Sequence, residues 1–453
     1  MTQAINSSRL NAFILGLMKV VSDPMARDKC VAEVEITGGQ CLLSTQALET
    51  ALLDSQKGQR CDNCFQLPSQ NQSLKRCSGC GSYWYCDDSC QATQWKSHHR
   101  RICKTYNAYV ASPEFNVLAQ HQKMDAIMLS HLMARLSLDA KPYEIEDESS
   151  ANILLSLLPS PGAPTFPGHC PVKPSPPHQM AETMYERFGN NNFAIHTHLT
   201  TVGHGVFPLA SRLFNHSCSP NAAAKYIFPR GNSVEMQVVS LRTILPGEEI
   251  CLTYLDPALT ETREKVLQIT YGFECRCPSS VFLRRIGRIP DIPQGPADLA
   301  LLEIQLREHV ALGLNDRSTL MPTPMDSLPS TLRCLLHESY MQSLSERFSK
   351  ASHEGQYEVA LESGLTLLSL YMIVYPENYP QIGMHLLELT KTAWNNIATS
   401  VDLNLSQQEQ VRFLLAMCRR VLTVFGREGD EGGPLEEIET LDRLLKDEEA
   451  LQN

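Results

Sequence analysis

Seven of the chain's sixteen cysteines fall between Cys61 and Cys103, in a pattern that leaves little freedom for the fold around them. They run as Cys61-x2-Cys64, Cys77-x2-Cys80 and Cys86-x3-Cys90, and the last, Cys103, stands three residues beyond His99. A two-residue gap lets one turn present both sulfurs to a single metal, and a spacing of four puts both ligands on one helical face. Eight N and S ligands in four pairs are the complement of two tetrahedral zincs. His98 is a rival for His99, which is preferred because it lies one helical turn from Cys103. The other reading, free buried thiols, crowds seven reactive side chains into a segment with little apolar material for a core. Shells closed by four protein ligands leave no open position, so this metal is read as structural.

The remainder of the chain is ordinary in composition. It has 453 residues, 43% of them apolar and 20% charged, enough to bury real cores in two to four domains. Its formal charge of −11 argues against a surface built to grip nucleic acid. Within residues 57–106 eight Lys or Arg face three Asp, but two Zn²⁺ and seven thiolates reduce that excess to roughly +2. DNA contact is therefore weakly supported. No apolar run reaches the roughly 18 residues of a spanning helix, and the start lacks a basic, cleavable signal, so no membrane role is expected. Cysteines concentrated in one segment of a long chain indicate a reducing compartment.

Residues 1–57 open with the apolar run Phe13 to Met18 and continue with strand-like runs at Val31 to Ile36 and Cys41 to Leu43, with a turn at Gly38-Gly39. The zinc segment occupies 58–106. Residues 107–184 combine a helical stretch, with Met124, Ile127, Met128, His131, Leu132 and Leu136 at helical spacing, and a segment at 157–178 holding eight of the 27 prolines. That proline-rich segment is expected to be an extended or mobile surface insert. Residues 185–256 read as irregular β structure, 257–285 as a cysteine-bearing extension, and 290–453 as helical, with Leu299, Leu301, Leu302, Ile304 and Leu306 as an apolar series. Ala360 and Gly364 suit close contact between repeated helices. From Arg427 to Ala450, ten acidic side chains face three basic ones, read as a solvated helix face or tail. The fold class is α+β: an irregular β-rich domain split by an inserted zinc module and followed by a helical domain.

Three further motifs follow in order: Asn215-His216-Ser217-Cys218-Ser219-Pro220-Asn221, then Gly247-Glu248-Glu249-Ile250-x3-Tyr254, then Tyr271-Gly272-Phe273-x-Cys275-x-Cys277. Together they resemble a SET domain. The zinc segment, with Tyr83-Trp84-Tyr85 before Cys86 and Gln94-Trp95 after Cys90, resembles a MYND module. In this arrangement the whole chain looks like the SET and MYND domain-containing family of lysine methyltransferases, with a TPR-like helical C-terminal domain. The resemblance implies interleaved zinc pairing: Cys61, Cys64, Cys86 and Cys90 on one ion, Cys77, Cys80, His99 and Cys103 on the other. It also implies a protein-lysine N-methyltransferase using S-adenosylmethionine, acting on a histone or another protein, with proline-rich peptides docking on the module.

Methyl transfer from a sulfonium to a neutral lysine amine is an in-line displacement, so such a site must position both reactants and exclude water. The resemblance assigns Asn215 and His216 to the adenine and amino-acid portions of the cofactor, Asn192 to its methionine moiety, and Phe273 to a place near the adenine. Tyr254 is implied as the catalytic residue, its phenolic oxygen beside the transferred methyl. Cys218, Cys275 and Cys277 match three ligands of a third, post-SET zinc, whose fourth position is Ser280 here. The family's Gly-x-Gly turn before the first strand is replaced by Arg27-Asp28-Lys29-Cys30. These two departures support a second reading, a catalytically weak scaffold that recruits partners in transcriptional regulation. Nucleus and cytoplasm are both compatible with the absence of a long basic run.

Overall fold

The computed structural model describes residues 16–23, 27–69, 73–136, 150–162, 165–172, 178–310, 322–399, 405–429 and 433–452. The N-terminal strands are β1 (Met18–Asp23), β2 (Arg27–Ala32), β3 (Cys41–Gln46) and β4 (Glu49–Leu52). β5 (Lys75–Arg76) and β6 (Trp84–Tyr85) form a short antiparallel pair inside the zinc segment. Then follow β7 (Asn192–Thr197), β8 (Thr200–Val206), β9 (Asn215–His216), β10 (Ala222–Ile227), β11 (Glu235–Ser240) and β12 (Cys251–Leu252).

Small sheets, rather than one large one, carry these strands. β1 pairs with β2, β3 with β11 and β11 with β10, all antiparallel, while β8 sits between β4 and β7. Two of these pairings join residues before the zinc segment to strands some 150 residues or more beyond it, so the segment is an insertion in a single β core. Gly203 makes the β4–β8 contact possible: a Cβ there would meet the Ala51 carbonyl and the Phe65 ring, both at 2.5 Å. The Gly38-Gly39 turn forms as expected, with Gly39 at φ +84°. The Val31 to Ile36 run does not form one strand. β2 stops at Ala32, and Ile36 returns alone to bridge Ile244. Of the apolar run from Phe13, residues 13–15 lie outside the described residues.

The stretch expected as one helix after the zinc segment is broken at Pro113 and continues as the helix Gln120–Leu136, whose buried face covers the zinc module. The proline-rich segment has no regular structure among its described residues, but it is not merely a surface insert. Cys170 and Val172 are buried, and the Cys170 N–H donates to Ser130 Oγ at 2.8 Å. Residues 163–164 and 173–177 lie outside the described residues.

The helical C-terminal region contains Pro296–Val310, Glu338–His353, Tyr357–Val374, Pro380–Thr399, Leu405–Phe425 and Pro434–Gln452. Gly364 allows the close helix contact its sequence implies, because a Cβ would meet Leu389 at 2.6 Å and Phe348 at 2.8 Å. The apolar series from Leu299 is only partly buried: Leu306 is in the core, while Leu301 and Ile304 face solvent. The acidic terminal helix is more than a solvated tail, since Ile438, Leu441 and Leu445 pack into the helical core. One helix, Tyr357–Val374, is long and apolar enough to cross a membrane, but most of it is buried among its neighbours as a core helix.

Candidate functional site

The zinc segment brings its ligands together as two groups. Cys61, Cys64, Cys86 and Cys90 form one, with Cys64 Sγ 3.6 Å from Cys86 Sγ and 3.7 Å from Cys90 Sγ. Cys77, Cys80, His99 and Cys103 form the other, with His99 Nε2 3.4 Å from Cys77 Sγ and 3.6 Å from Cys80 Sγ. These are the edges of tetrahedral shells around an ion bound at about 2.0–2.3 Å. Local structure explains the placement. Asp87 caps the helix Asp88–Gln94 by accepting from the Cys90 N–H at 3.0 Å, which aims Cys90 inward from the first turn. Gly79 lies so close to Cys103 that a Cβ would stand 2.7 Å from its sulfur.

His98 takes a different task from its neighbour. Its Nδ1 is 2.9 Å from Glu49 Oε2, and its ring stacks on His131 at 4.0 Å. His131 donates from Nδ1 to the Thr50 carbonyl at 2.7 Å, so its Nε2 accepts from the Tyr83 hydroxyl at 2.8 Å. Both nitrogens of His131 are engaged, and burial holds it neutral. Glu49, His98 and His131 are therefore a buried polar strut joining the zinc segment to β4, which the sequence pattern did not reveal.

The second region forms where β9 and β12 run side by side in parallel, pairing Asn215 with Cys251 and His216 with Leu252. Asn221 ties the same crossing, its Oδ1 accepting from the Cys251 N–H at 2.9 Å and its Nδ2 donating to the Glu249 carbonyl at 2.9 Å. The chain leaves β12 directly into Tyr254, whose N–H donates to His216 Nδ1 at 2.9 Å and whose hydroxyl donates to the Phe214 carbonyl at 2.9 Å. The two motifs thus hold Tyr254 from both ends. Burial pushes its phenol well above the ordinary range and lowers His216 to about 4, so both are neutral at pH 7.

A cleft of about 230 Å³ opens beside this crossing, lined by Asn192, Tyr254 and Tyr271 among others, with Tyr379 and Gln381 contributed by the helical region. Asn192 Oδ1, Ser211 Oγ and Gln381 Oε1 in its walls are buried without a hydrogen-bond partner. Of the residues singled out in the sequence, Asn192 and Tyr254 line the cleft. Asn215, His216 and Phe273 do not, although Phe273 packs on the His216 ring at 5.8 Å. The Asn215 amide is spent within the fold, donating to the Asp28 carbonyl at 3.0 Å and to Glu249 Oε1 at 2.9 Å. Ser211, Tyr271, Tyr379 and Gln381 were missed as lining residues; the last two stand more than 100 residues from Tyr254, with no local pattern to mark them.

The third cysteine group also converges. Cys218 is in contact with Cys275 and Cys277, and its sulfur is 3.3 Å from Ser280 Oγ.

Comparison with known proteins agrees with this geometry. A SET domain family model matches residues 28–255, half of the 453. The N-lysine methyltransferase SMYD2 of Gallus gallus is 26% identical over 244 residues, 53% of this chain and 54% of that protein. The Histone-lysine N-methyltransferase ASHR1 of Arabidopsis thaliana is 27% identical over 263 residues, 53% of this chain and 50% of that protein. The Homo sapiens N-lysine methyltransferase SMYD2 is 25% identical, again covering 53% of this chain and 54% of its own length. The chain spans about half the length of the curated relatives it matches. A solved SET domain of LSMT bound to lysine and AdoHcy aligns at a TM-score of 0.26 and 10% identity, too low to bear on this fold. With its interrupted β core, its β9–β12 crossing and a family model over half its length, the chain belongs to the SET domain family, on the branch of the SMYD-type relatives.

Proposed function

We propose that this chain is a protein-lysine N-methyltransferase that uses S-adenosylmethionine. The observation that carries the reading is the cleft itself: Tyr254 is held rigidly in its wall, and buried polar atoms of Asn192 and Ser211 face it without partners. Unpaired buried polar atoms are costly, and an amino-acid moiety would satisfy both. Asn192 Oδ1 is suited to accept from its ammonium, and Ser211 Oγ to donate to its carboxylate. S-Adenosylmethionine supplies the methyl group on a sulfonium when bound.

The protein's own contribution is positioning and water exclusion. Tyr254 stays protonated, so it does not serve as a base; its hydroxyl proton is committed to the Phe214 carbonyl, and its oxygen can accept from the lysine amine. Tyr271, with its ring centroid 5.0 Å from that of Tyr254, and Tyr379 extend an aromatic wall suited to a lysine stem. Asn215 and His216 act indirectly in this reading, by holding β2 and Tyr254 in place. The zinc segment is read as a MYND-type module carrying two structural zincs, with exposed Trp95 available to a proline-rich peptide. The substrate is a protein lysine, in a histone or another protein of the nucleus or cytoplasm.

A second reading, a scaffold with weak catalysis, draws on one observation. β2 contains no glycine, and Asp28 within it is paired with Arg212. Calorimetric titration of the zinc-loaded chain with S-adenosylmethionine separates the two. Micromolar binding, lost in Asn192→Ala, supports the transferase; no binding by a folded chain overturns it.

A further inference from the structure

We infer that the hydroxyl of Ser280 serves as the fourth ligand of a third zinc, completing a shell with Cys218, Cys275 and Cys277 whose net negative charge is balanced by the buried guanidinium of Arg263. The inference rests on the reading of these three cysteines as a metal site, and is independent of methyl transfer.

The geometry distinguishes two candidates for the fourth position. Zinc–sulfur bonds of about 2.3 Å and zinc–oxygen bonds of about 2.0–2.2 Å set a tetrahedral S···O edge of about 3.5 Å. Ser280 Oγ lies 3.3 Å from Cys218 Sγ and 3.6 Å from Cys277 Sγ, and Ser280 is only 1% exposed. Its hydroxyl therefore faces the cluster from within the fold.

His216 is the rival, because its Nε2 is 3.1 Å from Cys218 Sγ. Its tautomer rules it out. Nδ1 accepts a hydrogen bond from the Tyr254 backbone N–H, a group that can only donate, so the lone pair on Nδ1 is occupied. The proton of the neutral ring must then sit on Nε2, where it donates to the Cys218 sulfur and cannot yield a lone pair to a metal. His216 is thus a hydrogen-bond bridge from the metal shell to the Tyr254 backbone.

Arg263 supplies an independent argument. It is 2% exposed; its Nη1 donates to the Pro257 carbonyl at 2.6 Å, its Nη2 has no hydrogen-bond partner, and its charge acts on Cys218. A buried cation beside three neutral thiols would be uncompensated. Three thiolates around one Zn²⁺ leave a charge of about −1, which matches a single guanidinium; a fourth thiolate would not. The neutral serine is therefore consistent with the charge of its surroundings. An oxygen in place of a thiolate also makes this zinc the most easily lost of the three.

The test is metal content and release from the full-length, zinc-loaded chain. Expected are three zincs per chain, one released to a chromogenic chelator at least about tenfold faster than the other two. Ser280→Cys should slow that phase about tenfold, and Ser280→Ala should reduce the content to two. With Co²⁺, the sulfur charge-transfer absorption gained on filling the third site should rise by about a third in Ser280→Cys, as three thiolates become four. A folded wild type holding only two zincs overturns the inference. So do an unchanged release phase and an unchanged cobalt spectrum in Ser280→Cys, because they would show that position 280 is not a ligand. Neither result touches the transferase reading, which is judged by cofactor binding.

Discussion

At the scale of single residues, Tyr254 and Gly203 show two different kinds of constraint. Tyr254 is fixed through its backbone by His216 and through its hydroxyl by the Phe214 carbonyl. Tyr254→Phe removes the oxygen and little packing. It is expected to lower methyl transfer by about 100-fold or more while leaving S-adenosylmethionine affinity within a few-fold, read by single-turnover kinetics and calorimetry. An equal loss of affinity would show that the hydroxyl holds the cofactor instead. Gly203 has no chemistry, only proximity. Gly203→Ala forces a methyl against the Ala51 carbonyl and the Phe65 ring, and should destabilise the β core by about 1–3 kcal/mol. A thermal melt of the two proteins side by side gives the answer, and an unchanged midpoint would mean that β4 and β8 can separate freely.

At the scale of elements, the two zinc shells are not independent. Cys77 and Cys80 lie in the loop between Cys64 and Cys86, and the helix beginning at Asp88 carries Cys90 of the first shell just before the turn bearing His99 of the second. Losing one ion therefore frees the segment that positions ligands for the other. Cys64→Ala is expected to reduce bound zinc by two equivalents, measured by elemental analysis, and to open residues 61–103 to limited proteolysis. Retention of the second ion would show that the helix Gln120–Leu136 alone holds its ligands in place.

At the scale of the whole molecule, the helical region docks on the β core partly through a buried acid. Glu428 accepts from the His198 N–H at 2.8 Å, and its other oxygen is 3.6 Å from His196 Nδ1, too far for a hydrogen bond. Burial pushes Glu428 up to about 7 and His196 down to about 4, so between those values the pair is two neutral groups, not an ion pair. Lys225 and His198 are the other titratable groups facing it. Because the folded state holds this proton more tightly than the unfolded chain does, stability should fall as pH rises from about 4.5 to about 7. Glu428→Gln should remove that fall, and at pH 8 should stabilise the protein by at most about 3 kcal/mol. Thermal melts of both proteins at pH 5 and pH 8 test it; parallel pH profiles would show that the carboxylate is hydrated in the folded state.

The sequence alone determined the local chemistry: the eight zinc ligands, the choice of His99 over His98, the closely packed helix at Gly364, and the Tyr254 motif. In each, spacing along the chain sets spacing in space, through one turn, one helical face or one strand crossing. What tertiary structure decided depends on groups distant in sequence. It removed Asn215 from the cleft by giving its amide to Asp28 and Glu249, and brought in Tyr379 and Gln381 from the helical region. It also buried Cys170 and Val172 in a segment whose prolines predicted only an extended chain. Hydrogen-bond partners and burial arise when separate elements pack, and no local pattern records which partner a polar side chain will meet.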